Sequence, residues 1–512
     1  MKKLIVALAS ALALSSFAKL EKFCDVTIAD STKLVDAATK IGGFVGEPML
    51  GVMASGMISA NPMVASLGIG PMRPGALSYL VVYVEDGKTE DEMIDDGMAV
   101  FLYPTQVTKA ECLAALEGSK EVDGAVRPAG ADDVSLVFDD AAKYVAITGD
   151  DKEQIALARK ALASLSKMPK LGKNEILNVH FTKFALNKLA DMVEASEKEL
   201  ASSGVIKFQV SSVGEIKQIE ALSVFAGVTQ RGLDLGSRYR CREGSELSKL
   251  GTPMKNASPL AFAGKDALGA MAWGENSRAH DVVKVWNEFS KLVKKWGFEP
   301  RGVKVVQEGG VAKFSVDVPA IVKYLKGDAK KAAAKFKNIK EMQNMQSDVM
   351  AFLAKEQEFR SANAGSVAFY VKGVSVPLTA EERFAKLMPE YANKPCLSAA
   401  VFSYYSAIKG CALPCIEACE ADKSKVAAAK KIIDLLPAAN GADMAYVWGK
   451  KGNNHNVIVR INPAELNGLY KLVLAGMENF QTACAVEVDD EEDNEDDDED
   501  DDEDDDEDVD ND

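Results

Sequence analysis

Apolar and polar residues alternate along this chain in short runs. Most of these runs lead into stretches whose apolar residues recur every three or four positions. The first pattern has the period of a half-buried strand and the second that of an amphipathic helix. The two occur joined in "DVTIADSTKLVDAATKI", "MAVFLYPTQVTKAECLAAL", "NVHFTKFALNKLADMV", "KFSVDVPAIVKYL" and "NVIVRINPAELNGLYKLVL". Helix-start residues sit at the joints: Asp30 and Ser31, Pro104 and Thr105, Pro319, and Asn462 with Pro463. Three further segments, "VSLVFDDAAKYVAITGD", "ALSVFAGVTQRGLDLGSRYRC" and "MAYVWGKKGNNHNVIVRI", are paired alternating runs around polar turns and predict hairpins.

Strand–helix units interspersed with hairpins predict an α+β protein: mainly antiparallel sheet with helices packed on one face. A break at Gly251, Thr252 and Pro253 divides it into two similar lobes, 19–250 and 251–488, preceded by 1–18 and followed by a tail, 489–512. "HDVVKVWNEFSKLVKKW" carries the clearest helical period. Val282, Val285, Trp286, Phe289, Leu292, Val293 and Trp296 fall on one stripe, expected to face the core.

The phrases "RPGALSYLVVYVEDGK", "MAVFLYPTQVTKAECLAALEG" and "GLDLGSRYRCREGSELSKL" resemble a group of uncharacterised exported bacterial α+β proteins with the same strand–helix rhythm. The resemblance covers roughly half of the chain and rests on pattern. It implies the fold and no activity.

The start of the chain, "MKKLIVALASALALSSFA", has two lysines, a short apolar stretch and small residues at Ser16 and Ala18. This is the layout of a cleavable secretory signal, so the mature protein is expected in the periplasm or outside the cell, with no transmembrane span once the signal is removed. Eight cysteines in an exported chain of 512 residues are few enough to be staples at most. "CALPCIEAC" places Cys411, Cys415 and Cys419 four apart, but no fourth ligand lies nearby, and Pro414 suggests that Cys411 precedes the helix proper. An oxidised pair with Cys396 or Cys484, or buried thiols, is the expectation.

Charge alters the picture at one end only. The run 489–512 holds 21 carboxylates in a chain of net charge −17, which leaves residues 1–488 at net +4. Self-repulsion predicts a disordered acidic tail that associates calcium weakly, for example at Asp498, Glu499, Asp502 and Glu503. "KYLKGDAKKAAAKFKNIK" offers a counterpart, a helix with a basic face of Lys330, Lys331, Lys335 and Lys337, against which the tail could fold. No nucleic-acid partner is expected.

Chemistry-bearing motifs are scarce. His180, His280 and His455 are the chain's three histidines and lie in separate units, without zinc spacing. Ser164 with Lys167 and Ser406 with Lys409 have the spacing of serine acyl-transferases, but the companion motifs are missing. The acidic loop "EDGKTEDEMIDDG" departs from a calcium loop at Glu92 and Ile94. Residues 48–72 contain no charge, and Met49, Met53 and Met57 share a helix face. Core filling in a buried helical hairpin is the first reading, and a groove for an apolar ligand the second. The expectation is a non-enzymatic binding or scaffolding protein of the cell envelope, without a cofactor, whose partner is an unidentified protein or apolar ligand. The alternatives are an exported hydrolase with its site between the lobes, and a carrier of hydrophobic ligand.

Overall fold

A computed structural model describes residues 20–59, 62–85, 98–131, 133–202, 212–277, 279–308, 311–324, 339–419, 423–435 and 443–475. The leader, most of the acidic loop, the lysines from Lys326 to Lys337 and the whole tail lie outside these residues.

In chain order the strands are β1 (Leu20–Ile28), β2 (Ser78–Glu85), β3 (Met98–Pro104), β4 (Lys120–Val122), β5 (Ala125–Arg127), β6 (Ser135–Asp139), β7 (Tyr144–Thr148), β8 (Glu175–Phe181), β9 (Ile219–Thr229), β10 (Gly232–Cys241), β11 (Gly269–Trp273), β12 (Val303–Glu308), β13 (Val311–Val316), β14 (Gly365–Val371), β15 (Ser398–Phe402), β16 (Met444–Lys451) and β17 (Asn454–Ile461). They pair into one ladder whose spatial order is β4-β5-β6-β7-β3-β2-β1-β8-β9-β10-β17-β16-β15-β11-β14-β13-β12. Every pairing is antiparallel except that of β13 with β14. The protein is therefore α+β with a mainly antiparallel sheet. The three expected hairpins are β6–β7, β9–β10 and β16–β17.

All five strand–helix units form. Asp30 caps the helix Ser31–Val45 by accepting from the N–H groups of Thr32 and Lys33. Asn462 Oδ1 accepts from Ala464 N at 2.6 Å at the start of helix 463–475. The helix after β3 begins later than expected. Pro104 ends the strand and Thr105 Oγ1 instead donates to Ile69 O, while a capping box of Thr108 and Glu111 starts the helix Lys109–Ala115.

The register fixes which residues share a face, because side chains alternate along each strand. Asp25, Val81, Val100, Leu102, Ala146 and Val137 lie on one face of the N-terminal lobe, where the helix Lys152–Ala163 covers β2, β3, β6 and β7 through Ile155, Leu157, Ala158 and Ala161. The same face continues into the C-terminal lobe through Val447, Ala399, Ala272 and Ala368. There the alanine floor lets the 3-10 turn Ser258–Ala263 and the helix Ala380–Leu387 come close, and Phe384, 1% exposed, fills the space. On the opposite face of the N-terminal lobe, Tyr103, Leu136 and Val145 pack against Cys112 and the segment Val64–Ile69, so helices cover both faces there.

The lobes join where β10 pairs with β17. Arg460 of β17 is the register partner of Asp234 of β10, and its guanidinium donates to both Asp234 oxygens at 2.5 and 2.7 Å. It also reaches Glu390 at 2.8 Å and Leu387 O at 2.8 Å. Gly232, at φ +135, opens β10 where a Cβ would lie 1.9 Å from the Ile461 carbonyl oxygen, so only glycine fits the seam at this point.

Three expectations about packing need correction. The methionine stripe is not core: Met49, Met53 and Met57 are 56–58% exposed on the helix Met49–Ser59, because that helix uses Gly51, packed on Thr39, to meet its neighbour. The aromatic stripe of the helix Val282–Lys295 is only half-buried, and Phe289 is exposed. It packs on Phe314 and Phe352, near the sheet's β12 end. Cys411 lies inside the helix Tyr404–Cys419, which begins seven residues earlier and runs through Pro414.

Candidate functional site: a basic cleft across the seam

Between the two helix-covered regions the same face of the sheet is open at one end of the strands, beyond the buried Phe225 and Ile458. The register carries one row of residues across it: Asp25 in β1, His180 in β8, Ser223 in β9, Arg238 in β10, Asn456 in β17 and Gly449 in β16. Two residues along, a second row holds Ala221, Arg240, Asn454 and Lys451. The helix Pro389–Ala392 and the loop after it close one side with Tyr391, Lys394 and Pro395. From Ser223 onward these residues line a cleft of about 700 Å³, with Asp25 and His180 outside its lining. Tyr239, Lys450 and His455 also border it, but alternation turns their side chains to the opposite face. There Tyr239 stacks on His455 and Lys450 Nζ donates to Leu250 O at 2.5 Å.

Four cationic side chains thus face the cleft, and no carboxylate lines it. Arg238 lies 4.4 Å from the centre of the Phe225 ring and pairs with Glu175, which is nearly buried. Burial holds the Arg238 guanidinium below its usual pKa range. Arg240 meets Glu220 at 3.1 Å. Lys394 sits 5.2 Å over the Tyr391 ring. Among the described residues neither Lys394 nor Lys451 has an acidic partner. Burial pushes the Tyr391 phenol up, with Glu390 adding to the effect, so it stays a neutral hydroxyl beside Asn456. An adjoining recess of about 220 Å³ does hold acids, but each is already engaged: Glu175 by Arg238, and Asp234 and Glu390 by Arg460.

Only one pair near the cleft has the look of reactive chemistry. His180 Nδ1 lies 2.9 Å from Ser223 Oγ, and burial holds the imidazole below its usual pKa against the opposing pull of Asp25. Asp25 does not complete a relay. Its Oδ2 accepts from Lys22 Nζ at 2.7 Å, and its buried Oδ1 has no partner.

The sequence candidates lie elsewhere. His455 is buried on the far face and His280 stands at a bridge to Arg360. Ser164 caps a helix end by donating to Ala161 O, and Ser406 is buried in a different element. Cys24, Cys112, Cys241 and Cys396 are buried and Cys411 is half-buried, and none of the five is in a disulfide, so they staple nothing. Among the described residues no group of three or more His, Cys, Asp and Glu could hold a metal ion. Lys330, Lys331, Lys335 and Lys337, and the tail sites Asp498, Glu499, Asp502 and Glu503, lie outside the described residues.

Sequence reading missed the cleft because its cations come from three distant segments. One signal was available. "SRYRC" alternates within a predicted hairpin, which places Arg238 and Arg240 on one face of a strand.

No family model matches this chain, and no curated protein matches it. Among solved structures it is similar to TP0453, in its crystal form I, at 5% identity over 47% of this chain and 80% of that one, with a TM-score of 0.21. A likeness at that level carries no argument about fold or function. Among the described residues no helix is long and apolar enough to cross a membrane.

Proposed function

We propose that this is an exported, non-enzymatic binding protein of the cell envelope, and that its site is the basic cleft, which holds an anionic ligand. One observation carries the reading: Arg238, Arg240, Lys394 and Lys451 converge on a cleft with no carboxylate in its lining, backed by Ser223, Tyr391, Asn454 and Asn456 as neutral hydrogen-bonding groups. Three of the four cations stand on strands of the continuous ladder, so they are held in place before a ligand arrives. Guanidinium groups suit planar or tetrahedral oxyanions, and the lysines add charge without fixing geometry.

The test is calorimetric titration of inorganic tripolyphosphate into the chain ending at Val488, which keeps every described element. Binding should weaken with salt and fall at least about tenfold in the Lys394→Gln/Lys451→Gln variant. Equal affinity for parent and variant would end the reading.

A second reading follows from the His180–Ser223 contact, which would make the cleft's edge the site of a serine hydrolase. A fluorophosphonate probe separates the two. Labelling at Ser223 that disappears in both Ser223→Ala and His180→Ala would establish a nucleophile. A chain that stays unlabelled has no activated serine there.

A further inference from the structure

The cleft needs an anion, and the same chain carries 21 carboxylates in its last 24 residues. We infer that the segment 489–512 is an intramolecular occupant of the basic cleft, competing there with any external anion. The inference rests on reading the cleft as an anion site.

Reach does not forbid it. The last described helix ends at residue 475, and 13 residues separate it from Asp489. Helix 463–475 is about 20 Å long at 1.5 Å per residue. From its start back along β17 to Asn456 is roughly another 20 Å at the rise of a strand. Whatever direction the helix takes, its end therefore lies within about 45 Å of the cleft, while residues 476–488 alone can extend to about 43 Å and the tail follows them. A tether of this length holds the carboxylates at an effective concentration on the order of millimolar, far above any free competitor of similar affinity.

Charge complementarity fits the tail to the cleft, where four cations converge with no carboxylate in the lining. Some exposed lysines elsewhere already meet an acid, among them Lys40 with Asp36, Lys295 with Asp348, Lys313 with Glu308 and Lys372 with Asp317. Lys394 and Lys451 face one cleft without such a partner among the described residues, beside two arginines. The uniform carboxylate run has no fixed register, so it would occupy the site as a set of exchanging poses, sensitive to salt over a screening length of about 8 Å at physiological ionic strength.

The experiment uses a fluorescein-labelled synthetic peptide of residues 489–512 and reads anisotropy. The peptide should bind the chain ending at Val488 at least about tenfold more tightly than it binds the full chain, whose own tail competes. Affinity should fall by a similar factor in the truncated Lys394→Gln/Lys451→Gln variant and persist in Lys394→Arg/Lys451→Arg. Both lysines are exposed, so the changes leave the core intact. Equal affinity for full and truncated chains would overturn the inference, and so would undiminished binding to the glutamine variant. Inorganic tripolyphosphate in parallel separates the two levels of the argument. If it binds through the lysines and the peptide does not, only the tail inference falls. If neither binds, the reading of the cleft falls as well.

Discussion

Replacing Asp234 with asparagine tests the seam that joins the lobes. The Arg460 side chain is 3% exposed and the Asp234 side chain 11%. Burial works against the guanidinium charge, but the hydrogen bonds and charge of Asp234, with those of Glu390, outweigh it and hold its pKa above the ordinary range. Asparagine keeps one acceptor and removes the charge. The remaining acid, Glu390, is 39% exposed and therefore partly screened. Breaking a buried pair from one side costs about 3–5 kcal/mol, and the retained acceptor places this variant near the lower end. Arg460→Met alone should cost a similar amount, because it strands the Asp234 carboxylate. Asp234→Asn with Arg460→Met removes both charges and should recover most of the loss. Urea unfolding followed by tryptophan fluorescence measures all four chains of the cycle, and the coupling between the two positions should exceed about 2 kcal/mol. A cost below about 1 kcal/mol for Asp234→Asn, or a double variant as unstable as the sum of the singles, would refute the claim that this pair secures the seam.

Other consequences follow from single positions. Phe384→Ala should cost about 3–5 kcal/mol in the same urea assay, since the alanine floor beneath it cannot collapse into the cavity. Gly232→Ala should lose about 1–3 kcal/mol, with hydrogen exchange accelerated in β10 and β17 first, because φ +135 and the Ile461 carbonyl leave no room for a methyl group. His455 should make stability fall in mild acid. Burial, helped by Lys450, lowers its pKa to about 4, and the Trp448 indole donates to its Nδ1 at 3.2 Å, which requires a bare nitrogen there. The unfolded chain therefore takes up the proton first as pH drops below about 6.5, and the native state loses roughly 2 kcal/mol between pH 7 and 5 through this group. His455→Gln should flatten that part of the stability–pH curve, measured by urea midpoints. An unchanged slope would show that the ring is not held neutral.

Much of the fold was legible because it is written locally. Asp30 and Ser31 announce a cap, and alternation around "TQRG" announces a hairpin, whatever the rest of the chain does. What was not legible depends on partners distant in sequence. Nothing in "NVIVRI" shows that Arg460 meets Asp234, or that β17 pairs with a strand more than 200 residues earlier. The methionine helix misled for a related reason. Its composition fits a core, but how much of its surface is covered depends on which elements happen to lie beside it, and only the Gly51 side is met. Compartment reasoning left the cysteines open between disulfides and buried thiols, because it says that a disulfide is allowed and nothing about whether two sulfurs approach.

The position of the cleft follows from the way the lobes are joined. Each lobe buries its own stretch of one sheet face under its own helices, through apolar residues on β2 and β3 in one case and through alanines on β11, β14 and β15 in the other. Along the strands that continue the ladder between them, that face is covered at Phe225 and Ile458, which join the C-terminal core, and stays open farther along β9, β10 and β17, at Arg240 and Asn454. Apolar residues there would leave an exposed patch prone to self-association, and the chain instead presents His180, Ser223, Arg238, Arg240, Asn454 and Asn456. An open, polar strip on a continuous sheet is a rigid floor, and the Tyr391–Pro395 loop turns it into a cleft on one side only. Ligand selection should therefore depend on that loop more than on the strands. Lys394→Gln should weaken tripolyphosphate binding by more than Lys451→Gln does, although both remove one charge, because Lys394 stands in the segment that closes one side of the cleft whereas Lys451 stands at the end of β16 on its floor. If the two single variants lose equal affinity, the loop adds charge without adding shape.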